Sequence, residues 1–309
     1  MFSLKNLLPA DWDINLDDKL YKEIITRKNP TAILFLIDQS GSMASMINYK
    51  NKYIKYSEAV CDMINSSFYE LISRCTKSEG IRDYFEICIV GYGGNSAESV
   101  EILWENNLKG KNWISITELK SEAQFKEQEV ETNIRGILKK EIKKVPFWFT
   151  AVDGHETPMG KAFDKAYELL VDWITKENHQ SAYPPVVINI TDGAQSDCTN
   201  DELLHKAEKI KSIHTTDGNV VLLNCHISNT DEKSVLFPLS ANELPNDIYA
   251  NNLFEASSKM PSIYSRRIST IRGDKDDFLN YKGMAYNANV DVLFNLIDIG
   301  TTGTTYLTK

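Results

Sequence analysis

The sequence predicts an α/β protein with a doubly wound, mostly parallel central sheet and helices on both faces. Three observations carry that expectation. Continuous apolar runs of strand length occur at Thr31–Ile37, Phe85–Val90 and Val186–Ile190. Such runs mark strands buried on both faces, as in parallel sheets. Between them lie longer segments whose apolar residues recur at helical spacing, so strands and helices alternate. Two of the apolar runs stop abruptly in polar loops with an aspartate in their first two positions, DQSGSM after the first and TDGAQSD after the third.

In chain order, residues 1–27 are a mixed, polar lead-in, and residues 28–300 read as one domain followed by a tail at 301–309. After the first strand, Ile54, Val60, Met63, Ile64, Phe68, Leu71 and Ile72 predict a helix over 48–76. The second strand, FEICIV, closes in GYGGNS, and Val100–Trp104 is a short third strand reached through a Gly-Gly turn. Residues 105–150 read as an excursion from the core, with a helix over about 121–143 and an aromatic cluster at Phe147, Trp148 and Phe149. The run KKEIKK at 139–144, the strongest local basic patch, is assigned to the solvated face of that helix. TPMGKAFDKAYELLVDWI at 157–174 is a clear helix with Pro158 in its first turn, where a missing N–H does no harm. A strand at Val186–Ile190, a helix at 201–213 and a strand at Val220–Asn224 follow. A helix near 249–259, a basic stretch at 262–272 and a final helix near 288–298 complete the chain.

The totals narrow the function classes. Hydrophobic residues at 42% and charged residues at 25% are ordinary for a globular chain long enough to bury a large core. The 34 basic against 43 acidic residues give −9, which disfavours nucleic acid and membrane surfaces because the chain repels phosphate. Five widely spaced cysteines without a C-x-x-C pair suggest neither a zinc site nor a redox pair. They fit a reducing compartment, and MFSLKNLLPADWD has the features of no secretory signal, so a cytoplasmic location is expected.

The chemistry concentrates where buried strands end. Asp38, Ser40 and Ser42 follow the first strand with Gly41 in a tight loop, and Asp192 follows the 186–190 strand almost directly. In open α/β sheets ligands bind at that carboxyl edge. Small hydroxyl and carboxylate side chains suit a hard cation such as Mg²⁺, which takes six oxygens and keeps several waters. Thr157 adds a further oxygen beside a helix start. Two enzyme readings fail on these residues. A phosphoryl-transfer D-x-D is missing its second acid, because position 40 is Ser. The stretch from Gly154 to Ala162 has one residue too many for a P-loop and Ala162 where Ser or Thr should hold Mg²⁺.

This constellation resembles the von Willebrand factor A domain and its metal-ion-dependent adhesion site. Asp38-Gln39-Ser40-Gly41-Ser42 matches that family's D-x-S-x-S, Thr157 its separate threonine, and Asp192-Gly193 its separate aspartate, in the same order. The T-P-M helix and, less specifically, the closing NANVDVLFNLIDIGTTGTT are similar to bacterial cytoplasmic members. The resemblance implies a Rossmann-like fold and no catalytic activity. It further implies a Mg²⁺ ion (Mn²⁺ as the alternative) reached directly by Ser40, Ser42 and Thr157 and largely through water by Asp38 and Asp192. It implies an open coordination position filled by an Asp or Glu carboxylate of a partner protein, with Gln39, Tyr92, His155, Glu156 and Gly193 expected on the partner-facing rim. An alternative role is that of a regulatory subunit in a bacterial signalling, stress or defence assembly, beside an AAA+ ATPase or a protein kinase or phosphatase.

Overall fold

A computed structural model describes residues 20–50, 52–134, 137–228, 233–276 and 279–288, with 292, 295–297 and 299. The first nineteen residues of the lead-in, the tail at 301–309 and most of the final helix expected near 288–298 lie outside these described residues.

The first strand, β1 (Thr31–Gln39), is buried along its whole length. Behind it come a hairpin, β2 (Met46–Tyr49) and β3 (Lys52–Lys55), then α1 (Tyr56–Cys75). A small β4–β5 pair (Thr76–Lys77, Gly80–Ile81) leads to β6 (Phe85–Gly93) and β7 (Val100–Ile102). Next are β8 (Ile114–Ser115), α2 (Ile116–Ser121) and a long hairpin of β9 (Gln124–Ile134) and β10 (Ile137–Phe147). The second half runs α3 (Met159–Thr175), β11 (Val186–Thr191), α4 (Asn200–Ser212), β12 (His214–Thr215), β13 (Gly218–Asn219) and β14 (Val221–Ile227). It closes with β15 (Val235–Leu236), α5 (Ile248–Ala256), α6 (Ser265–Arg272) and β16 (Met284–Ala288).

The main sheet has the order β15-β16-β14-β11-β1-β6-β7, with β8 also on β6. Strands β16, β14, β11, β1 and β6 are mutually parallel, and only the edge partners β7, β8 and β15 run antiparallel. This is the predicted mostly parallel α/β sheet. Alternation along β1 sends Ile33, Phe35 and Ile37 to one face and Leu34 and Leu36 to the other. The first face packs on α1 through Phe68, the second on α3 through Phe163 and on α4 through Leu203. Burial on both sides explains why β1 carries no polar residue between Thr31 and Asp38.

Helix starts follow local capping chemistry. Thr199 and Glu202 close a reciprocal capping box at α4, and Ser115 and Glu118 do the same at α2. Helix α3 differs: Pro158 stands at the cap rather than in the first turn, and Asp197, from a loop 37 residues away, accepts from Gly160 N.

Two local expectations are corrected. Met46–Tyr49 and Lys52–Lys55 pair as the β2–β3 hairpin, so the helix predicted over 48–76 begins only at Tyr56. Gln124–Ile134 and Ile137–Phe147 pair as the β9–β10 hairpin in place of the helix over 121–143, and KKEIKK lies on a strand. The Lys, Glu and Gln content of that stretch and the helical recurrence of Val130, Ile134, Ile137, Leu138, Ile142 and Val145 both favour a helix, but cross-strand pairing prevails. On either side of this hairpin the chain returns to the core, where Ile114, Ile116, Leu119, Trp148 and Phe149 are buried.

Candidate metal centre

Strands β1 and β11 are adjacent and parallel, with Ile37 paired to Ile190, so the loops after them emerge side by side at the carboxyl edge. That register brings Asp38 and Asp192, 154 positions apart in sequence, to one point. Ser40 N donates to Asp38 Oδ1 (2.8 Å), Ser40 Oγ and Ser42 Oγ share a hydrogen bond (3.0 Å), and Ser42 Oγ donates to Asp192 Oδ1 (2.7 Å). Four of the five predicted metal residues thus form one hydrogen-bonded chain.

Thr157 arrives on a third loop. Its N–H donates to Ser196 Oγ (3.0 Å) and its carbonyl accepts from Ser196 N (3.0 Å), which clamps it to the Asp192 loop. Gly41 N donates to His155 O (2.9 Å) and Gly154 N to Gln39 O (2.9 Å), which ties the same segment to the Ser40 loop. Gly93 closes the arrangement from the end of β6. A side chain there would stand 2.6 Å from Glu156 O and 3.0 Å from Ser40 N, and its φ of +85° favours glycine in any case.

Burial shapes the electrostatics. Asp38 has no solvent exposure, and that desolvation raises its carboxyl to about 6 despite hydrogen bonds from Ser40 and Thr191 that favour the charged form. Burial likewise raises Asp192. Two carboxylates pushed toward protonation at one point are what a bound cation would relieve.

The donor set fits a hard divalent ion. In an octahedron with bonds of about 2.0–2.1 Å, neighbouring ligand oxygens stand about 2.9 Å apart. The Ser40–Ser42 separation of 3.0 Å matches that edge. Among the described residues no group of three His, Cys, Asp or Glu side chains converges, so a hydroxyl-rich site is distinct from the usual transition-metal sets.

The expected rim divides in two. His155 and Glu156 are exposed and Gly193 is half-buried. Gln39 and Tyr92 are buried, at 6% and 0% exposure, and correct the expectation that they face a partner. Tyr92 is on β6 itself, and strand alternation turns its ring inward, where its hydroxyl donates to Asn189 Oδ1 (2.9 Å). Asn189 Nδ2 donates in turn to Asn224 Oδ1 (3.0 Å), and Asn224 Nδ2 to Ser257 Oγ (3.0 Å). This buried relay runs across β6, β11 and β14 beneath the site. Its one sequence signal was an asparagine inside the apolar run VVINI.

Thr191 escaped the sequence reading as well. Its Oγ1 donates to Asp38 Oδ2 (2.6 Å) and accepts from Gly193 N (3.1 Å), holding both aspartate loops. Its place immediately before Asp192 was the available clue. Among the described residues no helix is long and apolar enough to cross a membrane.

No protein-family model matches the chain, and no curated protein matches it. Among solved structures it is similar to a von Willebrand factor type A protein from Catenulispora acidiphila, at 14% identity and a TM-score of 0.35 over 65% of this chain. That match spans only 34% of the Catenulispora chain. It is also similar to the vWF domain of the type V pili tip protein Mfa5 from Porphyromonas gingivalis, at 11% identity and a TM-score of 0.38, covering 90% of this chain and 98% of that one. An aerotolerance-related membrane protein from Bacteroides fragilis NCTC 9343 matches at 12% identity and a TM-score of 0.33, over 73% of this chain and 86% of the other.

Proposed function

We propose that this chain is a von Willebrand factor A-type module that binds Mg²⁺ at Ser40, Ser42 and Thr157, with Asp38 and Asp192 acting through water. It uses the ion to hold an Asp or Glu carboxylate of a protein partner, without catalysing a reaction. Mn²⁺ is the alternative ion. The observation that carries this reading is the continuous chain of bonds Asp38–Ser40–Ser42–Asp192 across two parallel strands, with Thr157 clamped beside it. The buried Asp38 and half-buried Asp192 supply negative charge, and a metal with an open position makes a strong, directional contact to a carboxylate. The exposed His155 and Glu156 stand next to Thr157 in the loop and are the rim residues a partner would meet.

The test combines calorimetry with affinity capture. Mg²⁺ binding to the wild type and its loss in Asp38→Ala would support the metal centre. A partner retained by the wild type in Mg²⁺, and lost both in EDTA and in Asp38→Ala, would support the bridging role. Retention of the same partner under all conditions would move binding to another face and overturn it.

A further inference from the structure

The basic run at 139–144 is not a helix face, and its strand lines a large groove. The groove lies between the β2–β3 hairpin, α1 and the β9–β10 hairpin, and has a volume of about 1060 Å³, at the top of the range for ligand pockets. Its lining is partly apolar, with Ile54, Val145 and Ala151, and the Tyr69 ring stands at its margin largely exposed, at 58%.

Charge in the groove is unbalanced by pairing rather than by count. Its acids are engaged: Asp62 accepts from Tyr49 Oη and Lys50 Nζ (both 2.9 Å), Glu70 pairs with Arg74 (3.5 Å), and Glu58 accepts from Lys55 N (3.2 Å). Of the lysines, Lys50 is held by Asp62 and the others are less engaged. Lys52 reaches the Glu129 carbonyl and Lys126 the Phe147 ring; neither makes a close ion pair among the described residues, and Lys126 acts on Asp62 only through its charge at longer range. Lys143 has Glu141 no nearer than 3.9 Å. The pairs Lys126↔Val145 and Gln128↔Lys143 put Lys126, Gln128 and Lys143 on one face of the hairpin. Gln128 Nε2 donates to Asp62 on α1 (3.4 Å), so that face is turned into the groove.

We propose that this groove docks an extended acidic peptide segment carrying an aromatic or aliphatic side chain. A cationic, partly apolar lining, in a chain of net charge −9, matches acidic side chains with an apolar anchor between them. The hairpin β2–β3 follows the metal loop directly, and residues 150–154 run from the groove to Gln39, so the two surfaces are continuous. The proposal goes beyond the metal-centred reading and stands without it, because none of its residues belongs to that centre.

The test uses the full chain in EDTA and a fluorescent peptide of about twelve residues, glutamates with two phenylalanines, read by anisotropy at low salt. The acidic peptide binds, and Lys126→Glu/Lys143→Glu weakens it at least about fivefold. Asp38→Ala leaves this binding unchanged, and the double variant leaves Mg²⁺ binding by calorimetry unchanged, so failure of the groove and failure of the metal centre are told apart. Absence of peptide binding overturns the proposal, as does a smaller loss in the double variant. Equal or tighter binding of an oligothymidylate of the same length also overturns it, by showing a general polyanion surface.

Discussion

Replacing Asp38 with asparagine should stabilise the metal-free protein while destroying its response to Mg²⁺. Asp38 is fully buried, and burial lifts its carboxyl from 3.8 to about 6. At 1.36 kcal/mol per pH unit, keeping it ionised in the folded state costs on the order of 3 kcal/mol when no cation is present. Asparagine keeps the acceptor that Ser40 N uses. Its amide would meet Thr191 Oγ1, whose hydroxyl proton can turn to Gly193 O, 3.0 Å away. The net gain should therefore be about 1–3 kcal/mol in EDTA at pH 8. The sign depends on pH. A carboxyl raised in the folded state contributes stability below its unfolded value of 3.8 and loses it as pH rises through about 6. The advantage of asparagine is thus full above pH 6 and fades between 6 and 4. Mg²⁺ at one hundred times its dissociation constant should stabilise the wild type by about 2.7 kcal/mol and the variant far less. Urea unfolding with EDTA or Mg²⁺ across this pH range measures all three effects. A wild type more stable than the variant in EDTA at pH 8, or equal Mg²⁺ stabilisation of both, would refute the reasoning.

Two further substitutions probe the scaffold of the site. Gly93→Ala should cost more than about 1 kcal/mol and weaken Mg²⁺ binding together, because its methyl would meet the backbone of Glu156 and Ser40; chemical unfolding and calorimetry on one sample check this. Tyr92→Phe should cost roughly 1–2 kcal/mol by removing the Asn189 partner in a buried relay, yet leave partner capture intact because Tyr92 has no exposed surface; loss of capture with unchanged Mg²⁺ affinity would contradict that placement.

Much of this protein was legible in the sequence because its information there is periodic or positional. Buried parallel strands read as unbroken apolar runs, and Thr31–Ile37 and Val186–Ile190 fell inside β1 and β11. The ends of those strands located Asp38 and Asp192 at the edge where ligands bind. What failed was local preference that pairing between segments overrode. The Lys- and Glu-rich stretch at 124–147 favours a helix by composition, and only pairing of β9 with β10 against α1 settled it as a hairpin. Tyr92 illustrates the same limit. A tyrosine in a glycine-rich loop sequence reads as exposed, but β6 continues through Gly93 and the residue's strand parity turns it into the core. The sequence by itself determined the alternating strands and helices and the oxygen-bearing residues at the strand ends, because both depend on residue type and spacing along the chain. Tertiary structure alone decided which of those oxygens meet, that Thr191 joins the two aspartate loops, and that the basic strand faces a groove, because each rests on contacts between segments distant in sequence.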